Sequence, residues 1–151
     1  MFRTFARLAL PAVAALFTAC TVVQVFLAGL GVFDGPGAFV THREFGWTFG
    51  WLTLVILVLA LAARAPRRIT GSAVLLLVLF AMQSVFVVLR VEAPAVAALH
   101  PLNGFAILAL GAWTTRVAWA ARRTVVPEAG LLAAGPVVAR TGAGTPAEPA
   151  R

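Results

Sequence analysis

Two histidines are the side chains of this sequence best suited to chemistry, because an imidazole can ligate a metal or carry a proton near neutral pH. They are His42 and His100, the only two histidines in 151 residues. Gln24 stands eighteen residues before His42, and Gln83 seventeen before His100. Each histidine is followed four residues later by a glycine, Gly46 or Gly104, and twenty-two residues later by an arginine, Arg64 or Arg122. The strings Gln24-Val25-Phe26 and Gln83-Ser84-Val85-Phe86 open the two copies. This is an internal repeat, and a repeat fixes architecture before any single residue does. It also places two potential axial ligands at matching positions. Paired ligation of one metal by two copies of one element is the chemistry to expect.

The elements that carry the pair are apolar. The chain is 62% hydrophobic and 11% charged, with a mean hydropathy of +0.98, where soluble chains carry about a quarter charged residues. Four windows are free of formal charge: Leu8 to Phe33, Phe45 to Ala63, Ile69 to Leu89, and Ala93 to Thr115. A bilayer core takes about 20 apolar residues per helix, and each window comes close to that. The sequence therefore predicts an all-α fold, a four-transmembrane-helix up-down-up-down bundle built from two repeated hairpins. The spans run over about residues 8–33, 43–63, 69–90 and 97–120, within a transmembrane domain of residues 1–123. Asp34-Gly35-Pro36-Gly37 ends the first helix, Ala65-Pro66 the second. Pro101 suits the first turn of the fourth helix, where its missing N–H costs nothing. Residues 124–151, rich in Pro, Gly, Ala and Thr, are expected to be a disordered tail with at most a short interfacial piece around Leu131 to Val138.

The net charge of +7 is distributed as a topology signal. Arg3 and Arg7 precede the first span, Arg64, Arg67 and Arg68 fill the second connection, and Arg116, Arg122, Arg123 and Arg140 follow the fourth charge-free window. The other connections hold Asp34, Arg43 and Glu44, then Arg90 and Glu92. By the positive-inside rule both termini are cytoplasmic, in a multi-pass protein of the inner (cytoplasmic) membrane. Nucleic acid is not an expected partner; the lipid bilayer is. The single cysteine, Cys20, rules out an internal disulfide and reads as a small packing residue. Trp47, Trp51, Trp113 and Trp119 read as interfacial residues.

In the bundle, the second and fourth helices are diagonal partners, so their histidines can face each other across the core. His42, Gly46 and Gly50 share one face of the second helix; His100, Gly104 and Gly111 share one face of the fourth. Glycines beneath each imidazole leave room for a flat porphyrin, or for close helix packing. Gln24 and Gln83 read as interhelical clasps, or as amides supporting a histidine or cofactor edge. Asn103, one turn below His100, reads as an orienting partner of that ring. A zinc or copper site is less expected, because no cysteine or carboxylate completes a ligand set. A transporter is least expected, because no span carries a buried acidic residue.

The segment Gln24-Val25-Phe26-Leu27-Ala28-Gly29-Leu30-Gly31-Val32-Phe33, His42 with Gly46, and His100-Pro101-Leu102-Asn103-Gly104 resemble an uncharacterised bacterial family of small four-helix membrane proteins, a domain of unknown function. The resemblance covers roughly Ala14 to Arg123 and implies four spans and two histidine-bearing hairpins, with no known activity. More loosely, His42-Arg43 opening a helix is similar to the histidine-arginine element of haem A synthases, which are also built from duplicated hairpins with haem toward the outer face. This chain has half their helices, and the likeness bears on haem, not on haem A synthesis.

The expectation is a membrane protein binding one haem b near the outer face. His42 and His100 would be the axial ligands, with Gly46, Gly104, Gln24, Gln83 and Asn103 around them. Two axial histidines favour electron transfer over oxygen chemistry, with a quinone or a membrane redox protein as partner. The alternative is a non-catalytic scaffold or accessory subunit with no cofactor.

Overall fold

A computed structural model describes residues 1–123 of the chain. The expected disorder of the tail, and its interfacial piece, lie outside the described residues. Within them the elements are α1 (Phe2–Phe33), α2 (Ala38–Ala62), α3 (Arg67–Val88), a short turn of helix α4 (Pro94–Ala97) and α5 (Leu99–Arg123). Helices α1, α2 and α3, and α4 with α5 over Pro94–Arg122, are four stretches long and apolar enough to cross a membrane. The chain is an all-α, multi-pass membrane protein.

Helix α1 starts at Phe2, ahead of the charge-free window, and passes through Pro11 without a break. Spanning helices tolerate an internal proline where neighbours cover the freed carbonyl, and Pro11 is buried. At its far end Asp34 N–H donates to Leu30 O, and Gly35 takes a φ of +119°, a conformation that favours glycine. That tight turn lets α2 start at Ala38, several residues before the expected start of the span near residue 43. Helix α2 ends in a left-handed cap: Arg64 has φ 50°, Ala65 N–H donates to Ala60 O and Arg64 N–H to Leu61 O. This closes the last turn of α2 in the manner of a Schellman motif. The fourth span is interrupted at Ala98, so Pro94–Ala97 forms its own turn and α5 begins at Leu99.

Helix α1 packs against α2 and α5, and α3 packs against the same two. The order is a ring in which α2 and α5 face each other diagonally. Buried positions recur on one face of each helix: Ala6, Leu10, Ala14 and Phe17 on α1, Phe49, Ile56 and Ala60 on α2, Ile69, Ala73 and Leu76 on α3. The opposite faces are apolar too, with Trp47 and Trp51 largely exposed. A helix that is apolar all round belongs in lipid. Lipid removes the hydrophobic drive for helices to associate, leaving packing and a few polar bonds to hold the ring. The packing centre is aromatic. Phe17, Phe49 and Phe80 meet with ring centroids 5.6, 6.2 and 5.4 Å apart, and Phe45 stacks on Phe49 at 5.2 Å. Cys20 is half-buried against this core.

Candidate functional site: the paired imidazoles

The repeat-related residues converge at the end of the bundle opposite the arginine-rich connections. Gln24 lies in the last third of α1 and His42 in the first turns of the antiparallel α2, so the hairpin brings them level. Gln83 and His100 are brought level in the same way by α3 and α5. The two imidazoles then meet edge to face across the diagonal, with centroids 6.2 Å apart and planes at 63°. Phe39 lies against His42, with ring centroids 6.3 Å apart and planes at 85°.

Both rings are oriented by the same kind of bond. His42 Nδ1 donates to the backbone carbonyl of Gln24 at 3.1 Å, and His100 Nδ1 to that of Gln83 at 3.3 Å. A carbonyl oxygen only accepts, so each ring carries its proton on Nδ1 and presents Nε2 as a lone pair. This is the arrangement that fixes metal-binding histidines in many sites.

The glutamine side chains differ. Gln24 Nε2 donates to His42 O at 2.8 Å and lies 3.2 Å from His42 Nε2, so hairpin one uses its own lone pair. The short bond to a carbonyl fixes the orientation of the amide, and it leaves Gln24 Oε1 buried without a donor among the described residues. In hairpin two, Asn103 Nδ2 donates to Gln83 Oε1 at 2.9 Å and to Leu79 O at 2.8 Å. Asn103 thus holds the glutamine, and its amide hydrogen bonds go to Gln83 and Leu79, not to the His100 ring. Among the described residues His100 Nε2 makes no hydrogen bond.

The glycines act on the same amides. A Cβ on Gly46 would sit 2.9 Å from Gln24 Nε2, and one on Gly104 3.4 Å from Gln83 Nε2. A Cβ on Gly50 would overlap the Phe80 ring, and one on Gly111 would come 3.0 Å from Thr18 Oγ1. The room beneath the histidines is filled in this structure by Gln24, Gln83 and Phe80. Among the described residues no group of three or more His, Cys, Asp or Glu side chains is placed to hold a metal.

One feature at this end has no signal in the sequence. An open groove of about 500 Å³ lies over the α1–α2 turn, lined by Leu27, Leu30, Asp34, Gly35, Pro36, Gly37, Ala38 and Thr41. Neither histidine lines it. The Gly35-Pro36-Gly37 turn is legible in the sequence, whereas the groove it lines depends on how α1 and α2 pack.

A family of unknown function, DUF6220, has a model that matches residues 24–89. The match runs from Gln24 past the end of α3, taking in His42, Gly46 and Gln83 and stopping short of His100. Neither the curated proteins nor the solved structures provide a match, and the looser likeness to haem A synthases finds no support in these comparisons. The chain is similar to an uncharacterised family over the first histidine hairpin and the helix that opens the second, and its four apolar helices make it a small four-helix membrane protein of unknown function.

Proposed function

We propose that the paired imidazoles are the working centre of a small membrane electron-transfer protein, holding one haem b between His42 and His100. The observation that supports this reading is the shared tautomer. Both rings, from separate hairpins, have Nδ1–H tied to a backbone carbonyl and Nε2 left as a lone pair, at a centroid separation of 6.2 Å. To hold an iron, His42 and His100 would each offer Nε2, and the rings would turn out of their present edge-to-face contact to do so.

The donor set fits the group. Room for a macrocycle would have to be made beside Gly46, Gly104 and Gly50, where Gln24, Gln83 and Phe80 now sit. Ligation at both Nε2 atoms requires Gln24 Nε2 to leave His42 Nε2, and the amide keeps His42 O as its acceptor. One such bond in a membrane averages ~0.6 kcal/mol. When bound, the haem would supply a one-electron couple. His42 and His100 would hold the iron and leave no site for oxygen, and the Gln24 and Gln83 carbonyls would keep the rings in place through Nδ1. A quinone or a membrane redox protein is the proposed partner, and the inner membrane with both termini in the cytoplasm the proposed placement.

A second reading rests on the Gln24–His42 contacts. If that amide is a permanent clasp, the chain is a scaffold or accessory subunit and the histidines lock their hairpins. An oxidised-minus-reduced absorbance spectrum of the purified chain, expressed with haem precursor, separates the two. A sharp b-type α-band lost in both His42→Ala and His100→Ala is the expected result. A flat spectrum from folded protein would leave the clasp as the role of both histidines.

A further inference from the structure

At the opposite end of the bundle, Arg3 Nε and Arg7 Nε point at one acceptor, the backbone carbonyl of Ala63, at 3.5 and 3.3 Å. Ala63 is the residue at which α2 stops, and Arg64 follows in the left-handed conformation. The cap that closes α2 satisfies Ala60 O and Leu61 O, leaving Ala63 O for the arginines. The negative end of the α2 dipole offsets part of their charge. It does not offset two full cations four residues apart on one helix face, where like charges repel. Among the described residues the carboxylates are Asp34, Glu44 and Glu92, all at the histidine end, where Glu44 pairs with Arg43 at 2.9 Å.

We propose that Arg3, Arg7 and Arg64 form a binding site for the phosphate of an anionic phospholipid headgroup at the α1–α2 edge of the bundle. Arg3 and Arg7 commit only Nε to Ala63 O, each leaving a fork of η nitrogens of the kind that grips phosphate oxygens bidentately, and Arg64 follows Ala63 directly in the chain. Arg3 and Arg64 are exposed and Arg7 half-buried, so the forks can be reached. Phe2, Phe5 and Leu61 are exposed beside them, an apolar wall suited to acyl chains. That wall favours a lipid over a free anion. The site uses none of the residues of the imidazole centre and stands or falls without it.

The test is lipid retention by the full chain. Detergent-purified protein is offered equal amounts of phosphatidylglycerol and phosphatidylcholine, and the lipid carried through native mass spectrometry is counted. Selective retention of phosphatidylglycerol by about tenfold is expected. The double variant Arg3→Lys with Arg7→Lys keeps the charge and the topology signal but loses the forks, and should lose most of that selectivity. Arg116→Gln, an exposed arginine on α5 away from Ala63, should leave it unchanged. Equal retention of the two lipids would overturn the proposal, as would full selectivity in the lysine variant. An equal loss in Arg116→Gln would show a diffuse basic surface instead. Displacement by excess inorganic phosphate would show a soluble-anion site, and would also overturn it.

Discussion

The two hairpins share a glutamine, a histidine and a glycine at matching places, yet they spend their amides differently. In the first, Gln24 turns onto His42, bonding its carbonyl and reaching its Nε2. In the second, Gln83 is held off by Asn103 and His100 Nε2 stays open. The cause is one residue. Three positions after His100 stands Asn103; three after His42 stands Phe45, which packs on Phe49 and offers no hydrogen bond. A duplicated element has kept its ring-orienting Nδ1 bond in both copies and diverged in what controls the other nitrogen. The lesson is that a repeat can conserve a tautomer while varying the availability of the lone pair.

The largest break in that comparison should come from Gly50, whose missing side chain admits the Phe80 ring of the second hairpin. Gly50→Ala raises helix propensity by up to ~1 kcal/mol but forces an aromatic ring packed on Phe17 and Phe49 to move. Overpacking of this kind costs ~1–3 kcal/mol, so a lower melting temperature in detergent is expected. An unchanged or raised one would mean that the ring is not fixed there.

A sharper test exchanges the deciding residues. Asn103→Leu should release Gln83, and a membrane hydrogen bond lost with it costs at most ~1.7 kcal/mol. The freed amide should then move toward His100 as Gln24 does toward His42, seen as a shift of the His100 Nε2 resonance in ¹⁵N spectra. An unmoved resonance would refute the role given to Asn103.

The smallest effect separates the two repeat glycines by sign. Gly104→Ala meets Gln83 at ordinary contact distance and should stabilise by up to ~1 kcal/mol through helix propensity. Gly46→Ala must displace Gln24 Nε2 and should cancel that gain. Equal stabilisation by both would show that the Gln24 clasp is worth nothing measurable.

The sequence by itself determined the number of spans, because charge-free length is all that a bilayer requires of a helix, and α1, α2, α3 and α5 follow the four windows closely. It also determined that the histidines lie level on diagonal helices, because a duplicated hairpin repeats its own register. The resemblance to an uncharacterised family was legible in the sequence, and the family model that matches residues 24–89 covers the Gln24–Phe33 string and His42 with Gly46, not the His100 string. Helix ends were less legible. The start of α2 at Ala38 depended on how tightly the Gly35 turn closed, and the break at Ala98 depended on how α4 and α5 seat against α3.

Only the tertiary structure decided what each polar atom does. That Asn103 grips Gln83 and not His100, that Gly46 makes way for an amide, and that Arg3 and Arg7 converge on Ala63 all depend on distances between helices far apart in sequence. Spacing along a helix tells which face a side chain occupies. Which of several partners within reach it takes is settled by a few tenths of an ångström, and those are set by packing.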